Sequence, residues 1–286
     1  MASIRQIRRR MKSIDNIHEI TKAMEMIAAF RFKKAEIRFT RSKFYFFELE
    51  RLFSSFCNAA DKLDHPLFEK RDVKKKMLVL LTADKGLCGS YNTNLHKKAT
   101  AWFRENSRYE ISLFPVGKIG NEYFRRRKVK IVSARPDRSK VDMAFVRELT
   151  EELKGLYLKR EVDSIEILYT DFRVGGGGQN RTIPFLGLDY LLKEGDSGLV
   201  ATDYICEPNF EEIFISLLSK FLEGEIYGVL LESLASEYCA RMVAMKQATE
   251  NAEEVLDDLT LLRNKTRQAN ITRELSEIVS GASVLV

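Results

Sequence analysis

The stretch LLESLASEYCARMVAMKQATENAEEVLDDLTLLRNKTRQANITRELSEIVSGASVL, residues 230–285, decides how the rest of the chain is read. No Gly or Pro falls between Gly228 and Gly281, so nothing local breaks a helix there. Ala235, Tyr238, Met242, Met245, Thr249, Ala252, Leu256 and Leu259 recur at alternating three- and four-residue steps, with polar flanks. A narrow apolar seam of that period belongs to a helix that pairs with another helix. At about 1.5 Å per residue, some fifty residues reach roughly 75–80 Å, more than an ordinary domain can enclose. The sequence therefore predicts a projecting helix.

Its partner is expected at the other end of the chain. Met1 to His65 is likewise free of Gly and Pro. Ile4, Ile7, Met11, Ile14, Ile17, Ile20, Met24, Ile27 and Ala28 form a first stripe, whose three-residue steps from Met11 to Ile20 predict a local shift of the seam. Phe32, Ala35, Phe39, Phe46, Leu49, Phe53 and Phe56 continue it. Phe44, Tyr45, Phe46 and Phe47 are apolar all round, which predicts enclosure by a domain at that level. The competing arrangement, a large helical bundle, needs further helices of similar length, and the sequence offers none.

Charge supports self-pairing. From Met1 to Lys43 there are 12 Lys/Arg against 4 Asp/Glu, a balance of +8; from Glu207 to Val286 there are 7 against 14, a balance of −7. A basic arm also suits nucleic acid or an anionic membrane, but here the opposite charge lies on the same polypeptide. The 286 residues, 45% apolar, allow one or two domains and an ample core. The longest uninterrupted apolar run, Met77 to Leu81, is far short of the roughly 20 residues that span a bilayer. The N-terminus has no hydrophobic signal core, so neither a secretory signal nor a presequence is expected. Cys57, Cys88, Cys206 and Cys239 are scattered, without metal or redox spacing, which fits a reducing compartment.

The middle of the chain alternates strand and helix signals. Strands are expected at Met77–Thr82, Tyr109–Val116, Val129–Ser133, Ser164–Arg173 and Arg181–Leu188. Helices are expected over Asn94–Asn106, from Gly117 through Arg127, and over Val141–Lys159. The pattern predicts a Rossmann-like α/β domain with a mainly parallel sheet. The expected division is residues 1–65 for the first coiled-coil helix, 66–207 for the α/β domain and 208–286 for the second helix. Asn209 with Glu212 three residues on marks the start of that helix. Gly224 and Gly228 then permit close helix approach or a bend.

Candidate chemistry is sparse. Asp84-Lys-Gly-Leu-Cys-Gly89 follows the first strand, where open α/β sheets often bind ligands, and Cys88 there could be a nucleophile. Only His96 stands nearby, and the plainer reading makes Gly86 and Gly89 turn residues and Cys88 a small hydrophobe. Gly175 to Gly178 lacks the Lys-Ser/Thr of a phosphate loop and reads as a hairpin connection. Arg8-Arg9-Arg10-Lys12 and Arg125-Arg126-Arg127-Lys128 lack aromatic interleaving and read as solvated or protein-contact faces. No catalytic, cofactor or metal residue is assigned. Polar residues from Arg267 to Glu274 surround the second helix and suit contact with a surrounding protein.

Four stretches together resemble the γ subunit family of F-type ATP synthases of bacterial type. They are Ile20-Thr-Lys-Ala-Met-Glu-Met-Ile-Ala-Ala29, Asp84-Lys-Gly-Leu-Cys-Gly89, Ala240-Arg-Met-Val-Ala-Met-Lys-Gln-Ala-Thr249, and the run from Asn264 to Ala282. The resemblance implies a non-catalytic rotor shaft, its terminal helices an antiparallel coiled coil inside a ring of three α and three β subunits. It implies ε and a membrane-embedded c-ring as further partners, no cofactor, no nucleic acid, and a peripheral place on the cytoplasmic face of the inner membrane. On matching positions it implies β-subunit contacts at Arg241, Gln268, Thr272 and Glu274, and c-ring contacts at Tyr204 and Glu207. Ile7, Met11, Ile14, Met24, Met242, Met245, Leu256 and Leu259 are the expected coiled-coil seam, and Ala282 to Val286 an apolar bearing. Two other readings stay open at this level: an enzyme on the α/β domain oligomerised by the helices, and a coiled-coil scaffold or nucleic-acid-binding adaptor.

Overall fold

Two helices carry nearly half of the chain: α1, Ile4–Ala59, of 56 residues, and α5, Phe210–Val284, of 75. The computed structural model describes residues 4–59, 65–135, 137, 141–172, 178–187, 207 and 209–284. Between the long helices come β1 (Lys75–Leu81), α2 (Tyr91–Glu105), β2 (Glu110–Val116), α3 (Lys118–Arg126), α4 (Met143–Leu158), β3 (Ser164–Thr170) and β4 (Asn180–Leu186). The chain divides into two compact units, Met1–Ala29 with Arg241–Val286, and Phe30–Ala240.

The second unit is built on a four-stranded sheet in the order β2-β1-β3-β4. β1 pairs in parallel with β2 and β3, and β4 closes the edge antiparallel to β3. Both faces are covered, so β1 is a continuous apolar run that splits by parity. Met77, Val79 and Leu81 join a core with α4 and the neighbouring parts of α1 and α5, whereas Leu78 and Leu80 join a core with α2 and α3. The strand expected at Val129–Ser133 does not form. A single bridge, Leu113 to Ile131, connects that segment to β2, and a second, Val116 to Arg135, follows just beyond it. Its polar and charged neighbours (Lys128, Lys130, Ser133, Arg135) leave it too little apolar surface to complete another ladder.

Within the same unit α1 and α5 run antiparallel, and aromatic rings fill the space between them. Phe53 stacks on Phe221 at 4.3 Å between centroids and on Phe214 at 5.7 Å, and Phe46 meets Tyr227 edge-on at 5.9 Å. The expected enclosure of the aromatic run is not found: Phe44, Tyr45 and Phe47 are 73%, 54% and 60% exposed. A helix edge that packs on one neighbour buries one stripe, and only Phe46 lies on it. α5 starts as its sequence predicts. The Glu212 N–H donates to Asn209 Oδ1 at 2.9 Å, and Asn209 Nδ2 donates back to the Glu212 carboxylate at 2.8 Å.

In the first unit the contact positions of α1 are Ile4, Ile7, Met11, Ile14, His18, Thr21, Glu25 and Ala28, with Met24 beside them. Those of α5 are Met242, Met245, Thr249, Ala252, Leu256, Leu259, Arg263, Thr266 and Asn270. Both series keep strict three-four alternation. The expected seam shift is therefore absent, and Ile17, Ile20 and Ile27 are 45%, 58% and 54% exposed. Each three-residue step without its compensating four turns a stripe by about 60° away from a partner axis. The helix pair holds its period and accepts His18 and Thr21 at the seam instead. There the Thr21 and Thr249 hydroxyls lie 3.0 Å apart, each also within reach of its own helix carbonyl, His18 O and Met245 O.

Two features make measurable differences. A Cβ on Gly224 would stand 3.1 Å from Leu49 Cδ2 and 3.3 Å from Phe46 Cδ1, whereas one on Gly228 would meet Phe46 at an ordinary 3.5 Å. Gly228→Ala is therefore expected to raise unfolding stability by about 0.5–1 kcal/mol through helix propensity. Gly224→Ala is expected to give no gain, and denaturation midpoints read both. The Glu225 carboxyl is enclosed, its Oε2 without a hydrogen-bond partner, and burial, reinforced by Glu50, pushes its pKa up to about 8. The folded chain then holds a proton that the unfolded chain releases above its ordinary pKa of 4.5. Stability is lost as pH rises from that value through about 8. Glu225→Gln should remove this slope and stabilise the protein by on the order of 2–4 kcal/mol at pH 8.5, measured as unfolding midpoints across pH.

Candidate functional site

The loop after β1 was the one place where the sequence offered nucleophilic chemistry, and its geometry is structural. Cys88 is buried, and the Asn92 amide donates to its Sγ at 3.2 Å while Asn92 Oδ1 accepts from the Ala83 N–H at 3.0 Å. The turn uses positive φ at Gly89 (57°) and at Leu87 (63°). Gly86, expected to supply such a turn, is not among the positive-φ residues. His96 has its ring stacked on Tyr123 at 3.8 Å. Burial, then the nearby Arg127 cation, lowers its pKa to about 4, so it is a neutral packing residue. The half-buried Cys239 thiol is pushed up by burial and by Glu36, which makes it a poor thiolate.

The other candidates follow suit. Among the described residues no group of three or more His, Cys, Asp or Glu could hold a metal ion. No helix among them is long and apolar enough to cross a membrane. In the Arg125–Arg127 cluster, Arg127 lies over the Tyr123 ring at 3.6 Å, an intramolecular cation–π contact. Gly178 of the glycine run is exposed; Gly175 to Gly177 lie outside the described residues, as do Tyr204, Cys206 and the side chains of Ala282 to Val286. Glu207 is exposed.

What remains is the far part of α5. Arg241 is half-buried beside the seam, whereas Gln268, Thr272 and Glu274 are exposed. Among the described side chains of α5, Asn270 is the last that is partly covered, and every residue from Ile271 to Ser280 is exposed. Ile271, Leu275, Ile278 and Val279, at 49%, 57%, 67% and 68% exposure, recur at helical spacing among these polar groups. The sequence reading picked out the polar residues and passed over these four, although their three- and four-residue spacing was visible. Among the described residues no helix covers this apolar stripe, which is ringed by Arg267, Gln268, Thr272, Arg273 and Glu274 and has the composition of a protein-contact surface. It holds no acid–base pair, nucleophile or cofactor cradle.

Comparison with known proteins agrees. The ATP synthase family model matches residues 3–285. The ATP synthase gamma chain of Desulfitobacterium hafniense is 37% identical over 288 residues, covering all of both chains. That of Moorella thermoacetica is 38% identical over 290 residues, again covering both chains completely. Among solved structures, a chain of the Euglena gracilis mitochondrial ATP synthase (OSCP/F1/c-ring, rotational state 3) superposes with a TM-score of 0.69 at 18% identity, covering 99% of this chain and 94% of that one. A chain of the Tetrahymena thermophila mitochondrial ATP synthase central stalk and c-ring gives 0.62 at 22% identity, covering 80% and 99%. With full-length relatives above one-third identity, a shared fold and a long helix prepared for protein contact, the chain belongs to the ATP synthase gamma-chain family.

Proposed function

We propose that this chain couples rotation of an ion-driven c-ring to the nucleotide sites of three β subunits in a bacterial F1Fo ATP synthase. As a gamma chain it is the central rotor-shaft subunit, and a non-catalytic one. The observation that carries the coupling role is the end of α5, where exposed polar side chains surround an apolar stripe that no described residue of the chain covers. Arg241, Gln268, Thr272 and Glu274 are the proposed β contacts. Tyr204 and Glu207 are the proposed c-ring contacts, and ε and the α3β3 ring complete the partners. Residues 1–65 and 208–286 serve as the shaft and 66–207 as the base. The seam residues Ile7, Met11, Ile14, Met24, Met242, Met245, Leu256 and Leu259 hold the two helices together. The complex holds the chain at the cytoplasmic face of the inner membrane through the c-ring, without a membrane span of its own.

The mechanism needs asymmetry and stiffness. A contact that is equal in every β conformation shifts no population, so the surface must differ around its circumference. The α5 end meets that condition: the apolar side chains at 271, 275, 278 and 279 interrupt a polar perimeter that includes Arg267, Gln268, Arg273 and Glu274. A rotating helix of this kind presents charge and apolar surface to each β subunit in turn.

Arg241→Ala and Gln268→Ala, each in the assembled complex, should leave assembly intact and lower ATP-driven ion pumping by roughly ten-fold, the size of a lost charge-assisted hydrogen bond. Purification of α, β and ε with this chain, followed by pumping in membrane vesicles, measures both. Normal pumping in both variants would overturn the contact assignments. Met242→Asp places an unpaired charge at the seam and should cost about 2–4 kcal/mol of helix-pair stability, seen as a lower unfolding midpoint.

A further inference from the structure

A shaft is useful only if its base cannot slip on it, and the structure shows where the sheet of the second unit grips the two helices. The grip lies just past the C-terminal end of β3, where the chain runs on from Thr170 into Asp171 and Phe172. Phe172 places its ring against two rings of α1, 5.7 Å from Phe32 and 6.0 Å from Phe39, edge-on to each. These two residues are seven apart, so Phe172 engages two successive turns of one helix face. One residue earlier, the Asp171 carbonyl accepts a hydrogen bond from Ser236 Oγ of α5.

Further bonds reach the same short segment of α5. The Glu232 carboxylate of α5 faces the Tyr169 hydroxyl of β3, together with Asp171, Arg181 and Lys43. The Tyr91 hydroxyl at the start of α2 sits 2.9 Å from Ser233 Oγ and 3.2 Å from the Ser233 carbonyl. Ser233, Ser236 and Glu237 are buried polar residues among the buried apolar Leu230, Leu231 and Ala235 of the same helix. Asp171 itself is buried, held by Arg181 Nε at 3.2 Å and by the Gln179 N–H. Even Gly178 fits this closure, because a Cβ there would collide with the Asp171 carbonyl oxygen and approach Ser236 Oγ.

We infer that this clasp, formed by Tyr91, Tyr169, Asp171 and Phe172 with Phe32 and Phe39 of α1 and Glu232, Ser233 and Ser236 of α5, is the joint through which the α/β base delivers torque to the helices. A force on the sheet turns a helix only through contacts that lie off the helix axis and do not slide. Hydrogen bonds fix position along and around α5, and the Phe172 ring fixes α1 by shape. The residues are positioning residues, since they act by holding the two helices against the sheet. The inference rests on the rotor reading given above.

The test uses assembled F1 complexes immobilised through their β subunits. A gold nanorod is attached through biotin at Lys98→Cys, an exposed position on α2, with Cys57, Cys206 and Cys239 changed to Ala. The rod's angular spread at the catalytic pause is compared between this background and Phe172→Ala/Ser236→Ala. The clasp predicts a spread at least about two-fold wider in the double variant, because a packed joint is stiff and a cavity is not. ATP hydrolysis should stay within about two-fold, since it is set elsewhere in the complex, and Phe172→Leu alone should recover most of the stiffness. An unchanged spread in the double variant overturns the clasp. If that variant fails to assemble, Ser236→Ala alone is measured, where a wider spread supports the clasp and an unchanged one overturns it. A background complex whose rod does not rotate on ATP overturns the rotor reading instead, so the two failures are separate.

Discussion

A pair of helices in contact offers each of them only two buried positions in every seven, and that constraint governs this protein. Where the side chains at those positions are apolar, as at Ile7, Met245, Ala252 and Leu259, burial stabilises the pair. Where they are not, the period is kept and the chemistry adjusts. His18, Thr21 and Thr249 occupy seam positions, and the two hydroxyls satisfy each other and their own backbones. The isoleucines at 17, 20 and 27 lie one residue off the seam and face outward. Periodicity outweighs hydrophobicity here because a drifting seam would lose every later contact, while an exposed isoleucine forfeits the burial of one side chain.

The second unit solves a different problem with different material. There the helices meet the sheet as well as each other, and a wider stripe is needed. Stacked rings at Phe53, Phe214 and Phe221 supply volume, and Gly224 lets α1 approach where a methyl group would press on Leu49. Buried polar side chains on α5 then fix orientation, which apolar packing alone does not. A gamma chain needs both properties, since a shaft must resist bending along its length and twisting at its base.

Much of this was legible in the letters. The absence of Gly and Pro over two long stretches, the three-four steps on α5, the Asn209 cap and the β/α alternation each have a local physical cause that a single sequence displays. What was missed depends on geometry between elements. A three-residue run of isoleucines reads as a shifted seam until the partner's axis is known. Val129 to Ser133 has strand-forming residues but borders charges that keep it to one bridge, at Ile131. Phe44, Tyr45 and Phe47 look like core by composition, yet the helix presents only Phe46 to its neighbour. Of the proposed contact surface, the polar residues Gln268, Thr272 and Glu274 came through the resemblance to a family. The apolar stripe of Ile271, Leu275, Ile278 and Val279 stood in the pattern unread, because a stripe on a helix is first taken for a paired face. Phe172 could not be found from sequence at all, since its partners are about 130 and 140 residues away.

The shaft depends on α1 and α5 being paired, antiparallel, in the register that sets Thr21 against Thr249. In that register Ser13 and Asp257, both exposed, lie at the same level of the two helices. A pulsed electron-resonance distance between spin labels at these two positions, in the assembled complex, tests it directly. Helix axes 8–10 Å apart predict a single narrow distribution centred at roughly 20 Å or less, label arms included. A broad distribution, or one centred beyond roughly 35 Å, would mean that the helices do not pair in this register. The shaft would then have no structural basis.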